Sequence, residues 1–227
     1  MRAGVVRRNG AEKLFVVDKP ADREALSCVD GALSELEQFP GALRDRVQII
    51  SYAPDAEGTT VLASGAQAQA AWAHGMRCAR LLACAQTVGA VRRLHAQVVD
   101  YARTRKQFGQ PIGSFQAVQH KLVNVFFELE AGERLVYRAL WALAADDEDT
   151  APVDVAVAFV RGQAWDWLIN SYDVYGGTGY IDGIGVNETT RGVLELLTAV
   201  GRSNDGYERV YDAIRPGGFL AETADHV

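Results

Sequence analysis

The sequence predicts a mainly α protein, an antiparallel bundle of long helices preceded by a small β or α+β segment. From residue 66 to about residue 104 the chain is rich in Ala, Leu, Arg and Gln and has no proline, which favours one long helix. Beyond residue 114, apolar residues recur at the spacing of an amphipathic helix. Before residue 65, short β-prone runs alternate with Pro and Gly.

The N-terminal segment contains a hairpin signal. Asn9-Gly10 separates two β-prone runs within residues 5–17, and Asn-Gly is a favoured hairpin turn. Two further strands are predicted at 46–52 and 59–62, with a short helix at 24–39 between the hairpin and these strands.

The helical part follows from apolar spacing and from chain breakers. Helices are predicted at 66–104, 114–145, 152–172, 188–199 and 203–214, and the glycines of 176–179 end the third. Trp141, Trp165 and Trp167 fall at helical positions and are predicted to be core or interface residues. The predicted domains are a partial β domain at 1–64, the helical bundle at 65–214 and a flexible tail at 215–227.

Composition narrows the function classes. The net charge of −6 argues against a nucleic-acid-binding protein, which usually has a basic surface. Three cysteines without regular spacing and four scattered histidines predict neither a disulfide framework nor a metal site. No apolar run reaches the roughly 18 residues of a membrane helix and no signal peptide is visible, so the protein is predicted to be cytoplasmic and not to bind a membrane.

One motif combines basic, aromatic and turn-forming residues. The run Arg103-Thr-Arg-Lys-Gln-Phe-Gly-Gln-Pro-Ile112 lies where the first long helix is predicted to end. It has two interpretations: a charged helix end that complements the helix dipole, or an anion clamp. In the clamp, Arg105 would bind a pyrophosphate in bidentate fashion and Phe108 would offer a stacking face.

Two runs carry a resemblance to a known family. Tyr101–Gln119, which contains this motif, and Val174-Tyr-Gly-Gly-Thr-Gly-Tyr180 resemble the signatures of the C-terminal helical domain of acyl-CoA dehydrogenases. The resemblance covers residues 66–214 and implies a fold of that type that binds FAD. It also implies that Arg105 pairs with the pyrophosphate of FAD held by a neighbouring subunit. Gln107 and Phe108 would contact the nucleotide, and the backbone at Gly176 and Gly177 would approach the same cofactor.

The chain also departs from the family pattern. Asp173 stands where the family usually has Gln, and a carboxylate repels a pyrophosphate unless it is paired. The two positions at which the family carries its catalytic glutamate fall on Val200 and Ala79, neither of which can accept a proton. No catalytic residue is therefore assigned. The resemblance also leads us to expect that this chain lacks the family's N-terminal helical domain and most of its β domain.

These departures lead to a hypothesis of shared function. The resemblance implies a subunit of a heteromeric FAD-dependent acyl-CoA dehydrogenase, which desaturates an acyl-CoA thioester between its α and β carbons. This chain would supply the FAD clamp, and a second subunit in an α2β2 heterotetramer would supply the glutamate and most of the acyl-CoA contacts. A stand-alone enzyme with altered chemistry and a cofactor-free scaffold or interaction protein remain the alternatives.

Overall fold

The structure is a computed structural model. It describes residues 2–8, 11–18, 25–30, 35–38, 48–50, 59–145, 150–181, 183, 185–199, 207, 208, 210–212 and 215. The chain divides into two compact units, Met1–Arg77 and Cys78–Val227.

The first unit contains two antiparallel sheets. Its strands are β1 (Arg2–Arg8), β2 (Ala11–Asp18), β3 (Ala25–Asp30), β4 (Glu35–Gln38), β5 (Gln48–Ile50) and β6 (Thr59–Ser64). One sheet has the order β1-β2-β3-β6, and β4 pairs with β5. Arg8 is opposite Ala11, so the strands on either side of Asn9-Gly10 pair as the hairpin prediction requires. The strands expected at 46–52 and 59–62 are also present, as β5 and β6.

The helix predicted at 24–39 is wrong, because this stretch forms β3 and β4. β3 pairs with β2 along one edge and with β6 along the other. The backbone hydrogen-bonding groups on both edges of β3 therefore have partners outside the segment itself. Such pairing overrides local helix propensity, which is only a weak determinant of structure.

Four long helices confirm the predicted fold class. They are α1 (Gly65–Thr104), α2 (Gln116–Ala144), α3 (Ala151–Tyr175) and α4 (Val186–Ala199). Each predicted helix boundary lies within a few residues of the observed one. Of the predicted helix at 203–214, residues 207, 208 and 210–212 are helical and the rest lies outside the described residues, as does the tail beyond residue 215.

The predicted domain boundary at 64/65 stays a prediction. The last strand ends at Ser64 and α1 begins at Gly65, whereas the two compact units divide at Arg77, within α1.

The core of the second unit is formed by the faces that α1, α2, α3 and α4 turn towards one another. The apolar stripe predicted for the second helix is buried along α2 at Val125, Leu129 and Val136. Trp167 of α3 is fully buried, and its indole N–H donates a hydrogen bond of 2.8 Å to the Glu128 carboxylate. Of the three tryptophans predicted to be core or interface residues, Trp167 is a core residue, whereas Trp141 and Trp165 are exposed.

Ion pairs between neighbouring helices show that α2 lies antiparallel to both α1 and α3. Arg92 of α1 contacts Glu130 and Glu133 of α2, whereas His95, further along α1, meets Phe126, which lies earlier in α2. Lys121, near the start of α2, pairs with Asp173, near the end of α3. The short connections between consecutive helices are typical of such bundles.

Candidate functional site

The residues after α1 form a tight hairpin. The Arg105 N–H donates to the Tyr101 carbonyl at 2.8 Å and continues the helical pattern by one residue. Strand β7 (Lys106–Gln107) then pairs with β8 (Gln110–Pro111) across a two-residue turn. Both turn residues have positive φ, 52° at Phe108 and 81° at Gly109. This is the pattern of a type I′ hairpin turn, which usually has Asn or Gly at the first position.

Phe108 is held in an unusual conformation. Residues other than Gly, Asn and Asp rarely adopt the left-handed backbone region, because the Cβ atom crowds the carbonyl oxygen. The Phe108 ring is 92% exposed and meets Phe115 edge to face, with ring centroids 6.2 Å apart. This single contact buries only a small part of the apolar surface of the ring. A strained residue that presents an exposed aromatic ring is typical of a contact site for a ligand or a partner.

The polar residues of the hairpin also face solvent. Arg105, Lys106 and Gln107 are exposed, and no described residue forms a hydrogen bond or ion pair with the Arg105 guanidinium. The Arg105 backbone is fixed, since its carbonyl accepts a 2.8 Å hydrogen bond from the Ile112 N–H. The hairpin thus holds a guanidinium on a rigid backbone with its donors open to an anion.

The second sequence motif forms a 3-10 turn at the end of α3. The turn spans Gly176–Tyr180, and Gly176 has a φ of 61°. Gly176 and Gly177 are exposed, and a Cβ atom built on either would meet nothing within 4 Å. Gly179 is buried, and a Cβ atom there would lie 3.0 Å from the Tyr175 Cβ. Gly179 therefore allows close packing of the turn, while the first two glycines leave bare backbone open to a ligand.

Tyrosine side chains join the two motifs. The Tyr101 hydroxyl lies 3.4 Å from the Thr178 hydroxyl, and the Tyr101 and Tyr175 ring centroids are 4.6 Å apart. Burial, and then the neighbouring Tyr101, raise the pKa of the Tyr175 hydroxyl. Because Arg105 follows Tyr101 by one helical turn, the hairpin and the glycine turn lie at the same end of the bundle. The two motifs thus meet through the contacts of Tyr101 with Thr178 and Tyr175.

Asp173 does not carry an isolated charge. Its carboxylate accepts a hydrogen bond from the Lys121 ammonium in a partly exposed ion pair between α2 and α3. Without a partner, this carboxylate would oppose the binding of a phosphate group. The lysine neutralises that charge locally, so the end of α3 keeps its capacity to lie near an anion.

Ala79 and Val200 occupy the two positions at which the resemblance places the catalytic glutamate. Ala79 is a partly buried residue of α1, and Val200 lies outside the described residues.

Cys84 of α1 is fully buried, and burial raises the pKa of its thiol to about 12. Burial thus favours the protonated thiol, and Cys84 packs as a residue of the hydrophobic core.

In the part of the chain that the structure describes, no three His, Cys, Asp or Glu residues come together in a way that could hold a metal ion. None of the helices described above is long and apolar enough to cross a membrane.

Several features of this site were not predicted from the sequence. They are the type I′ hairpin, the contacts of Tyr101 with Thr178 and Tyr175, and the Lys121–Asp173 pair. Phe-Gly is not a usual hairpin signal, and the pair joins residues 52 positions apart. Of these residues, only Tyr101 could have been singled out from the local sequence, because it begins the first motif.

Residues 69–205 match the family model described as acyl-CoA dehydrogenase, C-terminal domain. Among curated proteins, the L-prolyl-[peptidyl-carrier protein] dehydrogenase of Pseudomonas fluorescens is 28% identical over 53% of this chain and 32% of its own length. The 3-(aryl)acrylate reductase of Clostridium sporogenes is 31% identical over 55% of this chain and 33% of its own length. The chain thus spans about a third of the length of these relatives.

Solved structures share the fold. The butyryl-CoA dehydrogenase of Megasphaera elsdenii superposes with a TM-score of 0.71 at 16% identity, over 95% of this chain and 63% of its own. The Tcur3481-Tcur3483 steroid ACAD gives a TM-score of 0.71 at 20% identity, over 98% of this chain and 63% of its own.

Proposed function

Because the chain belongs to the acyl-CoA dehydrogenase family, we propose that it is a subunit of a heteromeric FAD-dependent acyl-CoA dehydrogenase. In this proposal the chain supplies the clamp for the ADP and pyrophosphate part of FAD, and a partner subunit supplies the catalytic glutamate. The observation that carries the proposal is that the Arg105 hairpin and the open Gly176–Gly177 turn lie at the same end of the bundle, where Tyr101 contacts Thr178.

The residues at this end of the bundle fit a dinucleotide. A pyrophosphate needs a cation with several donors, and the Arg105 guanidinium has them on a fixed backbone. The exposed Phe108 ring offers a face on which an aromatic base can stack, and Gln107 offers an amide beside it. At Gly176 and Gly177 no side chain stands between the backbone and an approaching phosphate.

The division of labour rests on the two positions at which the resemblance places the base. Ala79 and Val200 stand there, and neither side chain accepts a proton. In this proposal the carboxylate that removes the α-proton of the acyl-CoA therefore comes from the partner subunit. A structural neighbour whose name joins two components, Tcur3481-Tcur3483, supports a two-subunit arrangement, here an α2β2 heterotetramer.

In that arrangement the partner contacts most of the acyl-CoA. Bound FAD would accept the hydride from the β carbon during α,β-desaturation. The residues of this chain bind and orient: Arg105 neutralises pyrophosphate charge, and the Tyr101–Thr178 contact keeps the hairpin and the glycine turn together. These contacts fix the cofactor without taking part in proton transfer.

Co-expression tests this proposal. The chain is produced with acyl-CoA dehydrogenase subunits encoded beside it, the complex is purified, and its absorption spectrum is recorded. We expect a yellow hetero-oligomer and a colourless chain when it is produced alone. A colourless complex, or a chain that binds FAD at full stoichiometry by itself, would contradict the shared clamp.

The Lys121–Asp173 pair provides a separate test. In the flavin-containing complex, Lys121→Ala leaves a carboxylate near the phosphates without its counter-charge. We expect flavin affinity to fall about two- to fivefold, the size of effect typical of a partly exposed ion pair. Adding Asp173→Gln to that variant removes the negative charge and should return the affinity to the original value. Equal flavin content in all three proteins would show that Asp173 does not face the cofactor.

A further inference from the structure

Tyr172, near the end of α3, contacts both the glycine turn and helix α4. Its ring packs against Tyr180, with ring centroids 5.1 Å apart and an interplanar angle of 31°. A Cβ atom built on Gly179 would lie 3.3 Å from the Tyr172 Cδ1 atom. The Tyr172 hydroxyl donates a hydrogen bond of 2.6 Å to the Oδ1 atom of Asn187, in the first turn of α4. One side chain thus joins the glycine turn to a second helix.

Helix α4 is itself fixed to the bundle along its length. Val186, Val193 and Leu197 are buried in the core. Near the end of α4, the Arg161 guanidinium of α3 donates a hydrogen bond of 2.7 Å to the Leu197 carbonyl. Asn187 directly follows the fully buried Val186. The acceptor of the tyrosine hydroxyl is therefore held on a firmly packed helix.

The chain between α3 and α4 has little conformational preference of its own. Five of the ten residues 176–185 are glycine, and glycine loses more conformational entropy on folding than any other residue. Gly176, Gly183 and Gly185 have φ angles of 61°, 90° and 85°, which glycine adopts without strain. The conformation of the glycine turn therefore depends on the side chains that pack against it.

Two tyrosines pack against or beside the glycine turn and end in hydrogen-bonding contacts. The Tyr101 hydroxyl lies 3.4 Å from the Thr178 hydroxyl, which is long for a bond between two hydroxyl groups. The contact from Tyr172 to Asn187, at 2.6 Å, is short and partly buried. By length, the hydrogen bond of Tyr172 is the stronger of the two. The Cβ positions of Gly176–Gly177 stay open, so the turn is supported while its first two residues remain accessible.

We propose that Tyr172 and Asn187 are positioning residues for flavin binding. Their hydrogen bond fixes the Tyr172 ring against the glycine turn and keeps the bare backbone of Gly176 and Gly177 in the conformation that receives the pyrophosphate. A turn that is already ordered loses less conformational entropy when the cofactor binds, so the affinity rises without a new contact to the ligand. This inference rests on the proposed function, and it assigns neither residue a contact with the cofactor.

Titration of FAD into the flavin-stripped hetero-oligomer tests the proposal. Tyr172→Phe removes only the hydroxyl, and Asn187→Leu replaces its acceptor by an apolar group of similar size. We expect each variant to bind FAD about three- to tenfold more weakly, the effect of one partly buried hydrogen bond. Because both act through the same bond, the double variant should lose no more than either single variant. Tyr211→Phe, at a tyrosine that is 65% exposed, should leave the affinity unchanged.

Hydrogen exchange in the same flavin-stripped hetero-oligomer separates positioning from general stability. In Tyr172→Phe and in Asn187→Leu, we expect the backbone amides of residues 176–181 to exchange about fivefold faster or more, because the turn opens locally. The amides around Leu129, in the core of the bundle, should exchange at their original rate. A merely structural role of the hydrogen bond would instead accelerate exchange throughout the bundle.

Three results would overturn the inference. They are an unchanged FAD affinity in both single variants, a double variant whose loss is the product of the two single losses, and exchange that accelerates uniformly. All three differ from failure of the proposed function, in which the unmodified hetero-oligomer itself holds no flavin. In that case the positioning role fails with it.

Discussion

Replacing Arg105 with alanine is expected to reduce the flavin affinity of the hetero-oligomer about 10- to 100-fold. The guanidinium would contribute charge-assisted hydrogen bonds to the pyrophosphate, and each such bond is worth roughly 1.5–3 kcal/mol. Its side chain is exposed, so the fold of the chain should not change. Flavin content after gel filtration, followed by titration of FAD into the stripped complex, measures the effect.

Two matched variants separate the clamp from general charge. Arg103 lies two residues earlier and its guanidinium is 3.7 Å from Asp100 in an exposed ion pair, so Arg103→Ala should leave flavin affinity unchanged. Arg105→Lys keeps the charge but loses the planar fork and should give an intermediate affinity. Equal losses for Arg103→Ala and Arg105→Ala would indicate a diffuse electrostatic effect and count against a specific clamp.

The largest effect on stability is expected at Trp167. The side chain is fully buried and its indole N–H is bonded to Glu128. Trp167→Ala leaves a cavity against Gly132, whose position lies close to the ring, and also leaves the Glu128 carboxylate without its donor. We expect the free energy of unfolding to fall by about 3–5 kcal/mol. Denaturant unfolding followed by helical circular dichroism measures this change.

Trp165 is the control for that measurement. It lies two residues away on the same helix and more than half of it is exposed, so Trp165→Ala should change the free energy of unfolding by about 0.5 kcal/mol or less. Trp167→Phe keeps most of the ring volume and removes the N–H, so it should fall between the two. A small loss for Trp167→Ala would mean that the α2–α3 packing is not part of the cooperative core.

The long helices could be predicted closely because their signals are local and repeated. The spacing of apolar residues over residues 114–145 predicts a single helix. The bounds of α2 agree with that helix to within two residues at each end. The hairpin formed by β1 and β2 could also be predicted from the sequence, because Asn9-Gly10 is by itself a turn signal. The helix expected at 24–39 failed because strand pairing depends on β2 and β6, which a local pattern cannot reveal.

The candidate site was predicted in its residue types but not in its geometry. Arg105, Gln107, Phe108, Gly176 and Gly177 came from the resemblance of two motifs that are more than fifty residues apart. That the two motifs adjoin depends on the Tyr101–Thr178 contact, which only the packing of α1 against the end of α3 creates. The left-handed backbone at Phe108 contradicts the ordinary preference of that residue, so propensity alone would have placed the turn elsewhere.

The left-handed conformation of Phe108 has a consequence for how this chain tolerates mutation. Asn or Gly at position 108 would adopt the same turn with less strain, and either would remove an exposed phenyl ring. A selection for thermostability or solubility in the laboratory would therefore favour such replacements. The same replacements would delete the aromatic face that the hairpin holds out. Position 108 is thus a place where improvement of the isolated chain and retention of its function are expected to oppose each other.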